Sequence, residues 1–296
     1  MRHWREGPVM KPFLAMPLDH LVINTRFETD RAADLFRALG FTLTPQGRHP
    51  MGSVNHLMVF QDDYLELIGL PTDGGKLREE VLNSPVGIDG LVFRSDDADR
   101  VHALLTAAGA SLQPLHAFSR AVELDGETFE ARFRTVRFES DQFEAGRIYF
   151  CQHLTPELIW REPWQTHANT VSGLAGLLVV SQQPEADALR YASVAGAEVS
   201  ALGKHGEWRI DGARYSIVVT TLDEYLRRYG DLACDALGRS SFFGAIALRV
   251  QDPEAIKNAL VPVTEGVRHR QVEGRSVVAL PGLNSLLDFI DGNDSY

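Results

Sequence analysis

The sequence is poor in cysteine and has no excess of positive charge. Two cysteines, Cys151 and Cys234, are too few for a disulfide framework, and they do not form a zinc-type pair. The formal net charge of −11 argues against nucleic-acid binding, because that function needs a basic face. A local basic pocket for a small anionic molecule remains compatible with this charge.

Long hydrophobic runs are also absent. No stretch reaches the length of a membrane-spanning helix or of a signal-peptide core, so we expect a cytoplasmic protein without a membrane partner. The composition, 44% hydrophobic and 23% charged over 296 residues, is that of a globular protein long enough for two domains. Because G-x-S-x-G, HExxH and Gly-rich phosphate loops are missing, covalent hydrolase chemistry has no recognisable nucleophile.

One pattern recurs four times along the chain. The segments "DHLVINTRFETDRAADLFRALGF" and "DGLVFRSDDADRVHALLTAAGA" each read as a strand, an acidic turn and an amphipathic helix that ends at a glycine, Gly40 or Gly109. The openings "AGLLVVSQQPEADALRYASVAGAEV" and "GAIALRVQDPEAIKNAL" repeat the pattern. β-rich segments follow each helix, so each unit is predicted to be βαβββ.

A single βαβββ unit exposes an apolar sheet face and a strand edge, so the units must pair. Four units therefore predict an α+β fold in which the modules form two domains, at residues 15–162 and 170–294. The segment "REPWQTHANTVSG", with few apolar residues, is the predicted linker between them.

Paired βαβββ units opened by "DHLVI" resemble the vicinal oxygen chelate superfamily, which includes glyoxalase I, extradiol dioxygenases and bleomycin-resistance proteins. The run "FTLTPQGRHPMGSVNHLMVFQDDYLELIGLP", followed by "FCQHLTPELIW", more narrowly resembles the bacterial glyoxalase-like domain proteins. This resemblance covers nearly the whole chain from about Leu18. It implies that each pair of units curls into a cup, and that metal ligands come from the first and last strands of each unit.

Carried over by position, the resemblance makes His20 and Glu66 metal ligands of the first unit. Period-two alternation places each side chain on one face of its strand, and adjacent strands bring opposed residues within about 5 Å. The first-strand position of the second unit is Gly90, which has no side chain. Counting along the chain gives Gln152 as its last-strand ligand, and a slip of one residue would present His153 instead.

The expected cofactor is thus a divalent metal, Zn, Ni, Mn or Fe, in the amino-terminal cup. The corresponding positions of the second domain, Gly176, Gly244 and Thr220, carry no His, Asp or Glu. We therefore expect the second domain to be a partner without metal.

Other side chains are candidates for the remaining chemistry. His56 in "VNHLMVF" is predicted to face the cup, where it or Glu66 would move a proton; the alternative is a structural, hydrogen-bonded histidine. Arg120 is the candidate for binding a carboxylate or phosphate of the substrate. Tyr64 and Trp160 are candidates for a substrate-binding wall, with core packing as the alternative for Trp160.

The expected function is that of a glyoxalase-like enzyme that acts on a small oxygenated metabolite through the metal. Isomerase, lyase and ring-opening dioxygenase chemistry remain open. The alternative is a metal-free small-molecule binding protein resembling the bleomycin-resistance proteins, which the missing side chain at Gly90 favours. A homodimer is left open.

Overall fold

The computed structural model describes residues 15–203, 206–263, 265–292 and 296. Each half of the chain forms one eight-stranded mixed sheet, and the two sheets have the same strand order. The predicted α+β fold with four βαβββ modules paired two by two is therefore confirmed.

The first sheet is built from the first two units. Its strands are β1 (Leu18–Arg26), β2 (Gly47–His49), β3 (Ser53–Val59), β4 (Tyr64–Gly69), β5 (Gly87–Arg94), β6 (His116–Leu124), β7 (Glu127–Arg137) and β8 (Arg147–His153). The helices of this half are α1 (Thr29–Ala38), α2 (Glu79–Asn83) and α3 (Ala98–Ala107).

The second sheet is built from the last two units. Its strands are β9 (Val171–Ser181), β10 (Val199–Leu202), β11 (Glu207–Asp211), β12 (Ser216–Thr220), β13 (Ser241–Val250), β14 (Arg268–Val272), β15 (Arg275–Leu280) and β16 (Ser285–Asp291). The helices are α4 (Pro184–Ala195), α5 (Leu222–Tyr229) and α6 (Pro253–Leu260). No helix in the described part of the chain is both long and apolar enough to cross a membrane.

The first and last strands of each unit lie side by side. In the first sheet the order is β2-β3-β4-β1-β5-β8-β7-β6, with β1 parallel to β4 and β5 parallel to β8. The antiparallel pair β1–β5 joins the two units. The sheet curls until its edge strands β2 and β6 meet, so the first half is nearly a closed barrel.

Apolar residues at helical spacing bury one side of α1, where Ala32, Ala33 and Phe36 are fully enclosed. The predicted left-handed glycines follow α1 and α3, since Gly40 has φ +83° and Gly109 has φ +85°. The helix-covered faces of both sheets share one apolar core.

The concave face of the second sheet, which we call the second cup, is filled by side chains. Tyr225 and Tyr229 from α5 enter it and form a cluster with Tyr296. The Tyr229 hydroxyl donates to Asp288 Oδ2 at 3.0 Å and lies 3.0 Å from the Tyr296 hydroxyl. The equivalent segment of the first sheet, α2, is shorter and places one buried side chain, Val81, inside.

The structure corrects the alignment of the second domain. Because a bulge shifts the register between Phe243 and Ala245, the counterpart of Gly90 is Ala245, not Gly244. The β13–β16 register then places Asp288 at a last-strand position. The second cup therefore does hold one buried acid, and its charge is offset by Arg275 at 3.3 Å.

Replacing Tyr229 with alanine should lower the free energy of unfolding by about 3–5 kcal/mol, the range for deleting a large buried aromatic group. Urea denaturation measures this change. Leu226→Ala on the same helix is the control, because Leu226 is 44% exposed and surface changes usually stay within about 0.5 kcal/mol. Equal losses for both variants would contradict the filled second cup.

Candidate active site

A cavity of about 50 Å³ lies in the concave face of the first sheet, which we call the first cup. Apolar side chains such as Leu57 and Ile68 form part of its wall. The polar part of the wall comprises His20, His49, Asn55, Tyr64, Glu66, Arg78, Arg120, Thr135, Arg137 and Tyr149.

A β-bulge at Asp19 turns two adjacent polar side chains toward each other. In the pairing of β1 with β5, Leu18 lies opposite Phe93 and His20 lies opposite Val92, so Asp19 is the extra residue. A bulge re-aims a side chain that strict alternation would send to the other face. The Asp19 carboxylate consequently lies beside the His20 imidazole.

The fully buried Asp19 carboxylate accepts hydrogen bonds from three side chains. Oδ2 accepts from His20 Nδ1 at 2.7 Å and from His153 Nε2 at 3.0 Å, and Oδ1 accepts from Arg94 Nε at 3.1 Å. Burial would raise the pKa of Asp19, but the charges and hydrogen bonds of His153 and His20 hold it well below its usual range. An ionised carboxylate only accepts, so His20 Nδ1 carries a proton.

His20 Nε2 is consequently a hydrogen-bond acceptor when the ring is neutral, and His20 lines the cavity. Glu66 Oε2 lies 3.7 Å from Nε2, and the Tyr149 hydroxyl lies 3.1 Å from it. Tyr64 stacks on the imidazole with ring centroids 4.3 Å apart. A carboxylate that orients an imidazole whose other nitrogen faces a cavity is the arrangement of a general base.

The Glu66 carboxylate is buried but has polar neighbours. Its Oε1 accepts a hydrogen bond of 2.6 Å from Asn55 Nδ2. Burial would raise the pKa of Glu66, but His20, His49 and the Asn55 hydrogen bond outweigh burial and lower it. Glu66 therefore stays ionised beside His20. The sequence reasoning missed Asn55, although the alternation of β3 with His56 could have indicated it.

Tyr149 occupies the position in the second unit that corresponds to Glu66 in the first. Glu66 lies two residues beyond the strand partner of His20, and Tyr149 lies two residues beyond the strand partner of Gly90. Burial, followed by the nearby charge of Glu66, raises the pKa of Tyr149 well above its usual range. The phenol therefore keeps its proton, and it donates to His20 Nε2 in the neutral ring.

Arg120 lies in the cavity wall formed by β6. It is 8% exposed, and its guanidinium carbon lies 5.9 Å from the centre of the Phe133 ring. The side chain reaches across to the opposite sheet edge at Gly47, where an added Cβ would lie 2.9 Å from Arg120 Nη1. Burial lowers the pKa of Arg120, and the charge of Glu66 opposes that change.

Two further arginines in the wall share one carboxylate. Arg78 donates from Nε and Nη2 to Glu80 Oε2 at 3.0 and 2.6 Å, and Arg137 Nη1 donates to both Glu80 oxygens at 3.2 and 3.1 Å. Burial lowers the pKa of His49 to about 4; Glu66 opposes this shift, whereas Arg120 adds to it. His49 is thus an uncharged part of this wall near neutral pH.

The prediction that His56 faces the first cup is wrong. Its neighbours Asn55 and Leu57 line the cavity, and side chains alternate along a strand, so His56 points to the helix-covered face. There His56 Nδ1 lies 2.8 Å from the Thr44 carbonyl oxygen. His56 is therefore a hydrogen-bonded structural residue.

Neither proposed ligand from the end of β8 lines the cavity. Gln152 points toward the start of α3, where its Oε1 accepts from the Ala98 amide at 3.2 Å and its Nε2 donates to the Asp96 carbonyl at 2.6 Å. His153 lies on the side of Asp19 and borders a separate cavity of about 370 Å³. The predicted ligand set is therefore not assembled around His20 and Glu66.

Trp160 also lies outside the first cavity, unlike Tyr64. It packs behind Tyr64 with ring centroids 5.9 Å apart, and the Arg94 guanidinium lies 4.5 Å from its ring centre. Trp160 borders the cavity of about 370 Å³ together with His153. Its contact with the first cavity is thus indirect, through Tyr64.

Comparison with known families agrees with this geometry. Residues 18–195, more than half of the chain, match the sequence model of a family described as a glyoxalase-like domain. The chain belongs to this family. The glyoxalase-like domain is part of the vicinal oxygen chelate superfamily that the repeats resemble. No curated protein matches the sequence of this glyoxalase-like protein.

Three solved structures share the fold. A hypothetical protein from Staphylococcus aureus is 11% identical with a TM-score of 0.62, over 93% of this chain and 99% of that one. A mutant 4-hydroxymandelate synthase from Streptomyces coelicolor is 12% identical with a TM-score of 0.53, over 96% and 94%. A xylose isomerase-like TIM barrel/4-hydroxyphenylpyruvate dioxygenase fusion protein is 12% identical with a TM-score of 0.56, over 96% and 50%. Identities this low show the fold alone.

The donors in the first cup do not fit the divalent metal that the family implies. Catalytic zinc sites use three protein ligands, and the four related strand positions hold His20, Glu66, Gly90 and Tyr149. Gly90 has no side chain, and a Cβ there would lie 2.7 Å from Val22 Cγ2. The Tyr149 hydroxyl already forms a hydrogen bond of 3.1 Å with the nitrogen that a metal would need. Two ligands remain.

A second group of potential donors comprises Asp19, Cys151 and His153, whose ligand atoms lie within 4.8 Å of one another. The Asp19 oxygens already accept hydrogen bonds from His153, His20 and Arg94. Burial raises the pKa of the Cys151 thiol well above its usual value. Within this group, Asp19 and His153 form a hydrogen-bonded support for His20.

Glu80 should make stability depend on pH in acid. Burial would raise its pKa, but Arg78 and Arg137 outweigh burial and lower it from 4.5 to about 2. A lowered folded-state pKa stabilises the protein above the unfolded value, and this contribution disappears as the pH falls from about 4.5 toward 2. Glu80→Gln should therefore lose about 1–2 kcal/mol at pH 7 and little at pH 2.5.

Urea denaturation at both pH values measures the two differences. Glu79→Gln is the matched control, because Glu79 is the exposed neighbour on α2 and should change stability little at either pH. A deficit in Glu80→Gln that is the same at pH 7 and pH 2.5 would contradict the paired carboxylate.

Proposed function

We propose that the protein is an enzyme that transfers a proton on a small oxygenated molecule bound in the first cup. The observation that carries this proposal is the acceptor nitrogen His20 Nε2, which Asp19 orients through the other ring nitrogen and which lies 3.1 Å from the Tyr149 hydroxyl and 3.7 Å from Glu66. Titratable groups that converge in a cavity favour acid–base chemistry over simple storage of a ligand.

In the proposed step, His20 Nε2 takes a proton from a carbon next to a carbonyl group. The electron pair of the broken C–H bond moves into the carbonyl, which becomes an enolate oxygen. The Tyr149 hydroxyl then donates to that oxygen, because its pKa is too high for it to act as a base. The imidazolium is stabilised by the ionised carboxylates of Asp19 and Glu66, and it returns the proton to complete an isomerisation.

A divalent metal would supply Lewis-acid stabilisation of the same oxygen. The donor set gives it two protein ligands, His20 and Glu66, so the proposal assigns the stabilisation of negative charge to Tyr149 and to the arginines of the wall. Measurement of the metal content tests the expectation that Zn, Ni, Mn or Fe binds at this site.

Purified protein should contain well below one transition-metal ion per chain. Inductively coupled plasma mass spectrometry on protein prepared without chelator makes the measurement, with His20→Ala as the comparison. About one ion per chain, lost in His20→Ala, would overturn the metal-independent proposal and support the metal-dependent glyoxalase-like enzyme.

Proton transfer itself is tested by exchange of carbon-bound hydrogen with solvent. In D₂O, proton NMR should show loss of the methyl or methylene signal from at least one of pyruvate, butane-2,3-dione and hydroxyacetone. Because a positioned general base contributes about 10²–10⁴-fold, His20→Gln should slow this exchange by at least about 100-fold. Glu66→Gln should slow it less, since Glu66 stabilises charge without taking the proton.

His102→Gln is the control, because His102 lies on α3 outside the first cup, and it should exchange at the wild-type rate. If wild-type protein accelerates exchange no more than His20→Gln does, the enzyme proposal fails. Binding of a probe without exchange would then support the alternative, a metal-free binding protein.

A further inference from the structure

The first cup contains a cation whose side chain forms no salt bridge. Arg120 is 8% exposed, and among the described residues its guanidinium group has no salt-bridge or hydrogen-bond partner, although the charge of Glu66 acts on it from a longer distance. A guanidinium group has five donors in a planar fork that matches a carboxylate. Burying a charge without a partner is costly, so a ligand that supplies the missing anion would gain from this site.

The charged groups around the cavity indicate how much negative charge a ligand would have to supply to balance them. The three guanidinium groups in its wall are those of Arg78, Arg120 and Arg137, and the two carboxylates in or directly behind it are those of Glu66 and Glu80. Glu80 pairs with both Arg78 and Arg137, and Glu66 is the carboxylate whose charge acts on Arg120. Three positive and two negative charges leave one positive charge in the wall, and a single carboxylate would balance it.

The volume of the cavity limits the size of the ligand. A space of about 10–15 Å³ accommodates one water molecule, so the 50 Å³ of this cavity has room for about three to five. The ligand is therefore a small molecule, comparable in size with a few water molecules.

From these observations we propose that the ligand of the first cup is a short-chain monocarboxylate. Arg120 binds its carboxylate group through a bidentate pair of hydrogen bonds. This inference rests on the proposed function, because it names the substrate class of the same site. The carboxylate end lies at Arg120, and the carbon that loses its proton is directed toward His20 and Glu66.

Gly47 determines whether Arg120 can take this position. An added Cβ at Gly47 would lie 2.4 Å from Asn55 Oδ1 and 2.9 Å from Arg120 Nη1, closer than such contacts occur. Any larger side chain at this point pushes away both the guanidinium group and the amide that binds Glu66. Gly47 is therefore a specificity-determining residue, since it provides the space in which the anion-binding group lies.

The test compares ligands that differ in charge but not in size. Pyruvate and butane-2,3-dione each have six non-hydrogen atoms, and only pyruvate carries a carboxylate. Titration calorimetry or ligand-observed NMR should show pyruvate binding at least ten-fold more tightly than the dione, and more tightly than malonate or inorganic phosphate. The dianions should bind worse because one positive charge is free.

Substitutions test whether Arg120 is the residue that binds the carboxylate. Arg120→Gln and Gly47→Ala should each weaken pyruvate binding at least ten-fold, and Arg120→Gln should weaken pyruvate binding more than it weakens binding of the dione. Arg120→Lys keeps the charge without the fork and should recover part of the loss. Arg132→Gln is the matched control, because Arg132 is an exposed arginine on β7, and it should bind pyruvate like the wild type.

Equal affinity for pyruvate and the dione, tighter binding of malonate or phosphate, or unchanged pyruvate binding by Arg120→Gln would each overturn the inference. The outcome is separable from that of the proposed function. If the protein binds carboxylates selectively but exchanges no hydrogen, the inference holds and the enzyme proposal fails. If it exchanges hydrogen of the dione but shows no preference for a carboxylate, the enzyme proposal holds and the inference fails.

Discussion

The first domain depends on the antiparallel pairing of β1 with β5. Through this contact each unit covers the strand edge that the other would expose, and the two parallel pairs, β1–β4 and β5–β8, are brought onto one curved surface. The same pairing contains the bulge at Asp19. Because the bulge turns Asp19 toward His20, the contact that builds the fold also fixes the orientation of the proposed base.

Sequence periodicity predicted which residues share a face, but not which face lies in the cup. His20 and Glu66 alternate with buried apolar residues, and the structure has them 3.7 Å apart on the concave face. His56 shares a face of β3 with Met58 by alternation, yet that face lies under the helices. In a sheet buried on both sides the two faces are equally apolar, so alternation alone does not distinguish them.

Counting along the chain failed where the connecting segments differ in length. Glu66 precedes Gly90 by 24 residues, whereas its structural counterpart Tyr149 precedes Gly176 by 27. Two 3₁₀ turns, at Pro156–Leu158 and Glu162–Trp164, occupy the longer connection, and such turns have no period that reveals their length. The four-fold repeat therefore predicted the fold. The identification of Tyr149 as the counterpart of Glu66 required the strand register.

The contrast between the two cups argues that the first is kept open for a ligand. In the second, Asp288 is buried beside Arg275 and capped by Tyr229, and aromatic rings occupy the remaining space. The first cup has the same strands and could be filled in the same way, which would remove a cavity and the cost of burying Arg120 without an ion pair. Local features that oppose stability without a structural gain are characteristic of functional sites. The empty space beside Arg120 and His20 is such a feature, because the sister domain shows that the architecture does not require it.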